Sequence, residues 1–321
     1  MKRLTLALAL ALLVAPLAAV AQTAWPSKPV RVIVGFPPGG TTDILARLVS
    51  DALSRHYGQQ FVVDNRPGAA GNTGSEAAAK AAPDGSTFIM MTPGPVAIHP
   101  YLYRTLPFDP EKDFAAVSWV ARVANVLAVY PGFPAKDLRE FIAYAKANPG
   151  KINYATPGNG STGHLSTELF KSMTGTDLVH IPYRGSGPAL NDLIAGQVQM
   201  TIDNLPSALP QIQAGKLRAL GVSSEKRWFA TPDIPAIAEA VPGYEASSWF
   251  GLMAPAATPR DIVQKLSAEV DRLLKTEDLK KRFADIGAEP IGRAPEFFAA
   301  HIAAERTKWK KVVEVSGAKV D

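Results

Sequence analysis

VRVIVGFPPGGTTDILARLVSDAL, residues Val30 to Leu53, is the stretch that decides the fold. Four of the five residues of Val30–Val34 are β-branched and apolar, the composition of a buried strand. Gly35 to Gly40 break that strand, and Thr41 and Thr42 open a helix. The loop therefore lies between a strand end and a helix start. There the first backbone N–H groups have no intrahelical partner and the helix dipole adds partial positive charge, so an anion can bind without a charged side chain. The hydroxyl of Thr41 or Thr42 serves either as N-cap or as a ligand contact. Asp43 has Arg47 one turn further along the helix and can pair with it away from the loop. For one such turn taken alone, a capped strand-to-helix connection with no ligand is the alternative.

Further along, a strand at Gln60–Asp64 leads into the glycine-rich loop Arg66–Gly71 and a small-residue helix, Thr73–Ala82. A third strand, Thr87–Met91, ends in Thr92-Pro93-Gly94-Pro95. In an open parallel sheet such strand tips share the edge at which ligands bind. An apolar run, Ala115–Val129, is broken by charge only at Arg122, and a helix follows over Lys136–Ala147. Then the opening arrangement returns. Lys151–Thr156 is a strand, Pro157–Gly163 a glycine loop and His164–Met173 a helix; Leu178–Pro182, Arg184–Gly187 and Pro188–Ala195 repeat the sequence, and Val198–Ile202 closes on Asp203-Asn204. A pattern that occurs twice predicts two similar lobes. Leu217–Val222 reads as a further strand and a return crossing, Trp249–Met253 as another. Two closing helices, Asp261–Leu274 and Glu296–Val315, are expected back on the first lobe.

Met1 to Ala21 has the form of an export leader: Lys2 and Arg3, an apolar core from Leu4 to Val14, and a small-residue cleavage site ending at Ala21. Removing it lowers the net charge of +5 by two, too mild and scattered a balance to suggest nucleic acid. No cysteine is present, which excludes disulfides, thiolate metal sites and a lipid-carrying thiol.

The catalytic readings are weak. Gly158-x-Gly160-x-x-Gly163 formally fits a dinucleotide fingerprint, but the next strand ends at Pro182-Tyr183-Arg184 without the acid that holds a ribose. Ser161 and Ser186 lie outside any GxSxG context, and His56, His99, His164, His180 and His301 lack metal-ligand spacing. His56 and His301 are read as surface helix residues and His180 as a satisfied strand residue. His164 either faces a ligand or caps its helix. Arg184 either pairs a ligand carboxylate or stands solvated, and Asp203 either accepts from a ligand or caps the next turn. Phe36 and Trp249 wall a pocket or pack in the core. If the lobes face each other, the Thr41/Thr42 and Ala69/Ala70 loops oppose Ser161/Thr162 and Gly185/Ser186. A cleft flanked by helix starts suits a small molecule with a carboxylate at each end, held by neutral donors that avoid the desolvation cost of a buried ion pair.

WPSKPVRVIVGFPPGGTTDILAR, VVDNRPGAAGNTGSEAAAKAAPDGST, YATPGNGSTGHLSTELF, HIPYRGSGPALNDLIAGQVQM and LPQIQAGKLRALGVSS together resemble the Bug-type periplasmic solute-binding proteins of tripartite tricarboxylate transporters, in order and over the whole mature chain. The resemblance implies an α/β, two-lobed periplasmic binding protein of type II-like architecture, each lobe a mostly parallel sheet flanked by helices. Residues 22–123 and 222–321 would form lobe 1, and 124–221 lobe 2. It implies hinge closure on a small organic acid, a dicarboxylate or an aromatic carboxylate, and delivery to an inner-membrane permease with one large and one small subunit. A periplasmic monomer without cofactor, metal or nucleic acid is expected. Carried over position by position, the first-lobe contacts are Phe36, Gly40, Thr41 and Thr42, with backbone donors at Ala69 and Ala70. The second lobe gives Asn159, Ser161, Thr162 and His164, with Asp203 at its strand tip. Thr92 and Arg184 complete the candidate set from their own strand-end loops. The alternative reading is a secreted hydrolase or isomerase acting on a small organic acid through His164 and Asp203; a ligand-sensing partner of a membrane receptor shares the binding step.

Overall fold

Val30–Val34 forms strand β1, and Thr41–Tyr57 forms helix α1, in the computed structural model, which describes residues 25–318 and 320. The leader expected at Met1–Ala21 lies outside the described residues. Val32, Ile33 and Val34 are at most 2% exposed, and burying each contributes on the order of 1.5–3 kcal/mol. β2 (Phe61–Asn65), α2 (Asn72–Ala79) and β3 (Thr87–Met91) follow, with β1 between β2 and β3 and parallel to both. A π-helical turn, Gly94–Ile98, and the short α3 (His99–Leu102) lead to β4 (Phe114–Val123), β5 (Asn125–Val129) and α4 (Leu138–Ala147). The second unit comprises β6 (Asn153–Thr156), α5 (Thr162–Thr174), β7 (Val179–Pro182), α6 (Ser186–Ile194) and β8 (Met200–Asn204). There β6 lies between β7 and β8, parallel to both, so the predicted repeat is present in topology as well as in sequence.

The remaining elements are α7 (Leu205–Gln213), β9 (Arg218–Val222), β10 (Ser248–Pro255), α8 (Arg260–Leu274), α9 (Glu277–Asp285), β11 (Ala288–Pro290) and α10 (Pro295–Ser316). They complete two sheets, ordered β11-β4-β10-β3-β1-β2 and β7-β6-β8-β5-β9. Each sheet is parallel on the side that carries the glycine loops. Antiparallel pairing joins β10 to β3 and β4, and β4 to β11, in the first, and β5 to β8 and β9 in the second. The chain leaves the first sheet between β4 and β5 and re-enters it at β10. β4 runs into β5 through Ala124 alone, without the helical crossover that parallel pairing needs.

The chain returns later than Val222. Ile237, Tyr244 and Ala246 lie in the core of the second sheet and Trp228 and Ala236 on its other face. Re-entry into the first sheet comes at Ser248, which pairs with Val123. The two crossings are tied together: Asn125 donates Nδ2 to the Ala246 carbonyl at 2.7 Å, and its N–H to Ser223 Oγ at 2.8 Å. α8 packs on the first sheet as expected, but α10 serves both. Its Phe298 and Ile302 lie under the first sheet, whereas Trp309, Val312 and Val313 join the core of the second. A helix of 22 residues is about 33 Å long, enough to reach across.

Candidate functional site

The glycine loops of both units converge on one inner cavity between the sheets. Phe36, Pro37, Gly40, Thr41, Thr42 and Thr92 line it from the first unit, with Pro38, Ala70 and Gly94. Pro157, Ser161, Thr162, Ser186, Gly187 and Asn204 face them, and Ser248 and Phe250 close the seam. None of these lining residues is ionisable.

α1 begins at this cavity, and its N-cap residue Gly40 supplies no side-chain hydrogen bond. Thr41 and Thr42 are buried, and Thr41 Oγ1 has no hydrogen-bond partner among the described residues. Asp43 points away. Its carboxylate accepts from Gly39 N–H and Arg47 Nε, each at 3.0 Å, and from Asn65 Nδ2 at 2.9 Å. Burial pushes this carboxyl up, but the hydrogen bonds from Arg47, Gly39 and Asn65 outweigh that and hold its pKa below the usual value. The expected Asp43–Arg47 pair is therefore present, and it braces the Phe36–Gly40 loop from behind.

The second loop is strained. Gly68, Ala69, Ala70 and Gly71 take φ values of 147°, 45°, 50° and 101° in succession. An alanine in the left-handed region costs roughly 1–2 kcal/mol, so two of them persist only because the surroundings over-determine the turn. Successive N–H groups in such a turn form a concavity suited to an anion.

In the second unit, Ser161 is the N-cap of α5 and accepts from His164 N–H at 3.2 Å, which leaves its own O–H proton for the cavity. Thr162 Oγ1 donates to Ser248 Oγ at 3.3 Å and accepts from Asn204 Nδ2 at 3.4 Å. These contacts connect the cavity wall to the crossing strands.

His164 and Asp203 do not line the cavity. His164 Nδ1 accepts from Gly160 N–H at 3.1 Å, and its ring stacks on His180 at 4.1 Å. Burial pushes its pKa down to about 4, so the ring is a neutral brace under the loop. His180 is held in turn by Thr156 Oγ1, 2.6 Å from its Nε2, as a satisfied strand residue. Asp203 is buried beneath Ser186, accepting from its hydroxyl at 3.1 Å, from Ser207 Oγ at 3.2 Å and from Asn204 N–H at 2.8 Å. Ser186 lines the cavity, as expected of its loop, and at the strand tip it is Asn204 rather than Asp203 that reaches it. Asn159, Arg184 and Ala69 line an adjoining outer chamber with Tyr103 and Tyr183. The two spaces share Phe36, Pro37, Ala70 and Pro157 as walls.

β10 supplies two residues that the sequence reading missed. Ser248 and Phe250 reach the cavity, while Trp249 between them is buried on the opposite face, edge-on to Phe298 with 5.3 Å between ring centroids. Strand alternation was the signal available for this. His301, expected at the surface, is half-buried and stacked on Trp119 at 3.7 Å, and burial pushes its pKa down to about 4.

Residues 45–318 match the family described as Tripartite tricarboxylate transporter family receptor. The chain is 39% identical over 305 residues to Protein BugT of Bordetella pertussis, covering 94% of each. Among solved structures it is similar to R. palustris Rpa4515 with adipate, at a TM-score of 0.91 and 46% identity, over 92% of this chain and 100% of that one. It is also similar to MatC (Rpa3494) from Rhodopseudomonas palustris with bound malate, at a TM-score of 0.85 and 35% identity, over 90% of this chain and 100% of that one. The chain belongs to the tripartite tricarboxylate transporter receptor family.

Proposed function

We propose that the protein is a periplasmic receptor that captures a small carboxylate by closure of two lobes and presents it, as a monomer, to the membrane subunits of a tripartite tricarboxylate transporter. The observation that carries this reading is Thr41: a buried hydroxyl without a partner, at an uncapped helix start, in a cavity lined by no ionisable side chain among the described residues. Such a site suits an anion held by neutral donors. The adipate and malate in the two related structures are carboxylates of this kind.

On this reading lobe 1 comprises residues up to 123 and from 248, and lobe 2 residues 124–247, with the paired crossings at Val123–Asn125 and Ala246–Ser248 as the hinge. The enzyme alternative lacks its residues, because His164 and Asp203 both lie outside the cavity.

The test is thermal unfolding of ligand-free, refolded protein against mono-, di- and tricarboxylates and aromatic acids. A ligand of the folded state stabilises by roughly 2.7 kcal/mol at a hundredfold Kd, a clear midpoint shift. A shift with one acid class supports capture, and bulky substitutions at Thr42 and Ser161 should abolish it. No shift with any acid overturns the reading.

A further inference from the structure

We infer that the protein carries a second small-molecule site, in a pocket behind the crossing strands, which takes a flat, uncharged aromatic molecule with one hydrogen-bonding group and whose occupancy favours the closed lobes. The site stands on the pocket itself; its link to the cleft rests on the two-lobed receptor reading above.

β10 separates two spaces. Phe250 faces the cleft, Trp249 faces the other way, and Ser248 lies on the wall of both. The rear pocket has a volume of about 830 Å³, within the range of roughly 300–1,000 Å³ usual for small-molecule sites. The second unit contributes Ser224 to Phe229, and the first contributes Trp119 and Arg122 of β4 with Glu289 and Pro290 of β11. Trp228 pins the two sides together: its Nε1 donates to the Gly287 carbonyl at 2.7 Å, and the Arg122 guanidinium lies over its ring, 5.3 Å from the centroid.

The ionic groups of this wall are largely paired. Arg122 meets Glu289 at 2.8 Å, Arg227 meets Glu239 at 2.8 Å, Lys280 meets Glu277 at 2.9 Å, and Lys308 lies between Glu245 and Glu305. Glu225 and Lys226 are adjacent, exposed and opposite in sign. The pocket therefore makes no demand for a charged ligand. What it offers is aromatic: Trp119, Trp228 and Trp249 in its walls, and Phe229, 52% exposed, at its rim. One polar atom is unused. Nε2 of His301 is buried without a hydrogen-bond partner among the described residues, on a ring stacked 3.7 Å from Trp119. Burial keeps that imidazole neutral, with one nitrogen to donate and one to accept. A flat apolar body with one O–H or N–H satisfies both the walls and the imidazole.

The front of the molecule is closed in this structure. A Cβ on Gly185 would lie 2.9 Å from Pro37 Cδ, and one on Gly158 would lie 3.3 Å from Ala70 Cβ, so the facing loops touch. The rear pocket is open in the same arrangement, on the other side of the crossing strands. Opening the cleft about those strands swings the two rear walls toward each other, so a molecule seated between them binds the closed form better.

The test uses the ¹⁵N-labelled mature chain with 2-naphthol as probe, read through the indole N–H resonances. Those of Trp119, Trp228 and Trp249 should shift on titration, whereas that of Trp25, packed on Tyr57 and Phe88 in the first lobe, should not. His301→Phe keeps the stack and removes the polar atom, and should weaken binding by about tenfold. Ala284→Phe, at an exposed position on the pocket wall, should abolish the shifts while leaving the unfolding midpoint unchanged. 2-Naphthoate and 2-naphthylmethylammonium should bind this pocket at least about tenfold more weakly, because a desolvated charge finds no free partner there. By calorimetry, saturating 2-naphthol should raise adipate affinity by about fivefold in the wild type and not in Ala284→Phe. Unmoved indole signals, or shifts that survive in Ala284→Phe, overturn the site. Unchanged binding in His301→Phe overturns the polar contact, and equal binding of a charged probe overturns the ligand class. Unchanged or lowered adipate affinity overturns the link to closure. Failure of adipate and of the wider acid panel overturns the carboxylate-receptor reading and the link with it, while the indole signals still decide the rear site.

Discussion

Nδ2 of Asn65, at the tip of β2, lies 2.9 Å from Oδ1 of Asp43 on α1, and the same amide donates to the Phe36 carbonyl at 3.0 Å. One side chain thus fixes the first loop both to the helix it precedes and to the neighbouring strand. Asp43 is the common acceptor, since it also receives Gly39 N–H. Asp43→Ala should cost about 2–3 kcal/mol in urea unfolding by leaving these donors without an acceptor, and should weaken carboxylate binding by at least about tenfold. Arg47, whose side chain is 53% exposed, should matter less; Arg47→Ala is expected to cost under about 1 kcal/mol. Because the folded pKa of Asp43 is depressed, its contribution is present above the ordinary aspartate range and is lost as pH falls through the folded value. The acid limb of the stability profile should therefore be shallower in Asp43→Ala, and equal limbs would show that the carboxylate does not anchor the loop.

Asp203 behaves oppositely. Burial pushes its pKa from 3.8 up to about 6, against the hydrogen bonds from Ser186, Asn204 and Ser207. The native state then holds this proton more tightly than the unfolded chain does. Its stabilisation is complete below about pH 4 and is lost as pH rises through about 6. Two pH units correspond to up to about 3 kcal/mol. Unfolding free energies of wild type and Asp203→Asn at pH 4 and pH 7 should show the wild type losing that much relative to the variant as pH rises. Parallel profiles would mean that Asp203 does not titrate in this range.

What the sequence made legible was local. Val30–Val34 and Gly35–Gly40 announce a strand, a loop and a helix start because β-branched runs and glycines act on the backbone around them. The same signals recur at Lys151–Gly163, so the repeat could be read. Facing was not legible. Asp203 and Asn204 are adjacent, and only packing against Ser186 and Ser207 decides that the carboxylate turns inward and the amide toward the cavity. A strand that ends at Val222 suggests a return crossing there, whereas the chain packs its next stretch, with Ile237 and Tyr244, against the second sheet before crossing. α7 and α9 carry little sequence signal: Pro206 and Pro210 mask the first, and the second shows little more than Leu279 and Phe283 as a buried stripe.

Glycines at the two helix starts of the second unit should respond in opposite ways to the same methyl group. A Cβ on Gly163 would lie 2.3 Å from the Ile202 carbonyl oxygen, a backbone atom that cannot move without shifting β8. Gly163→Ala should destabilise by about 1–3 kcal/mol or more. Gly187 has nothing within 4 Å of its Cβ position and lines the cavity. Gly187→Ala should therefore keep or slightly raise stability, by up to about 1 kcal/mol from helix propensity, while weakening ligand binding because the methyl enters ligand space. Paired thermal melts and binding titrations of the two variants separate packing from recognition; a Gly187→Ala protein with unaltered affinity for every bound acid would remove that residue from the ligand wall.

Thr41 carries the most direct test of whether this cavity is built for a ligand or only for folding. Its hydroxyl is buried without a partner among the described residues, and a buried polar group in that state costs on the order of 1–3 kcal/mol. Valine has nearly the same shape and removes the polar atom, so Thr41→Val should leave the fold intact and stabilise the ligand-free protein by about 1 kcal/mol. If the hydroxyl is held unpaired for an anion, the same substitution should weaken carboxylate binding by about tenfold or more, because a charge-assisted hydrogen bond is lost where water cannot replace it. Stability and affinity then move in opposite directions at a single atom. That opposition is expected of a residue whose cost in the empty protein is offset only on binding. Urea unfolding of ligand-free Thr41→Val beside its binding titration decides the matter: higher stability with unchanged affinity would mean that the unpaired hydroxyl is a packing defect and that the carboxylate is held elsewhere in the cleft.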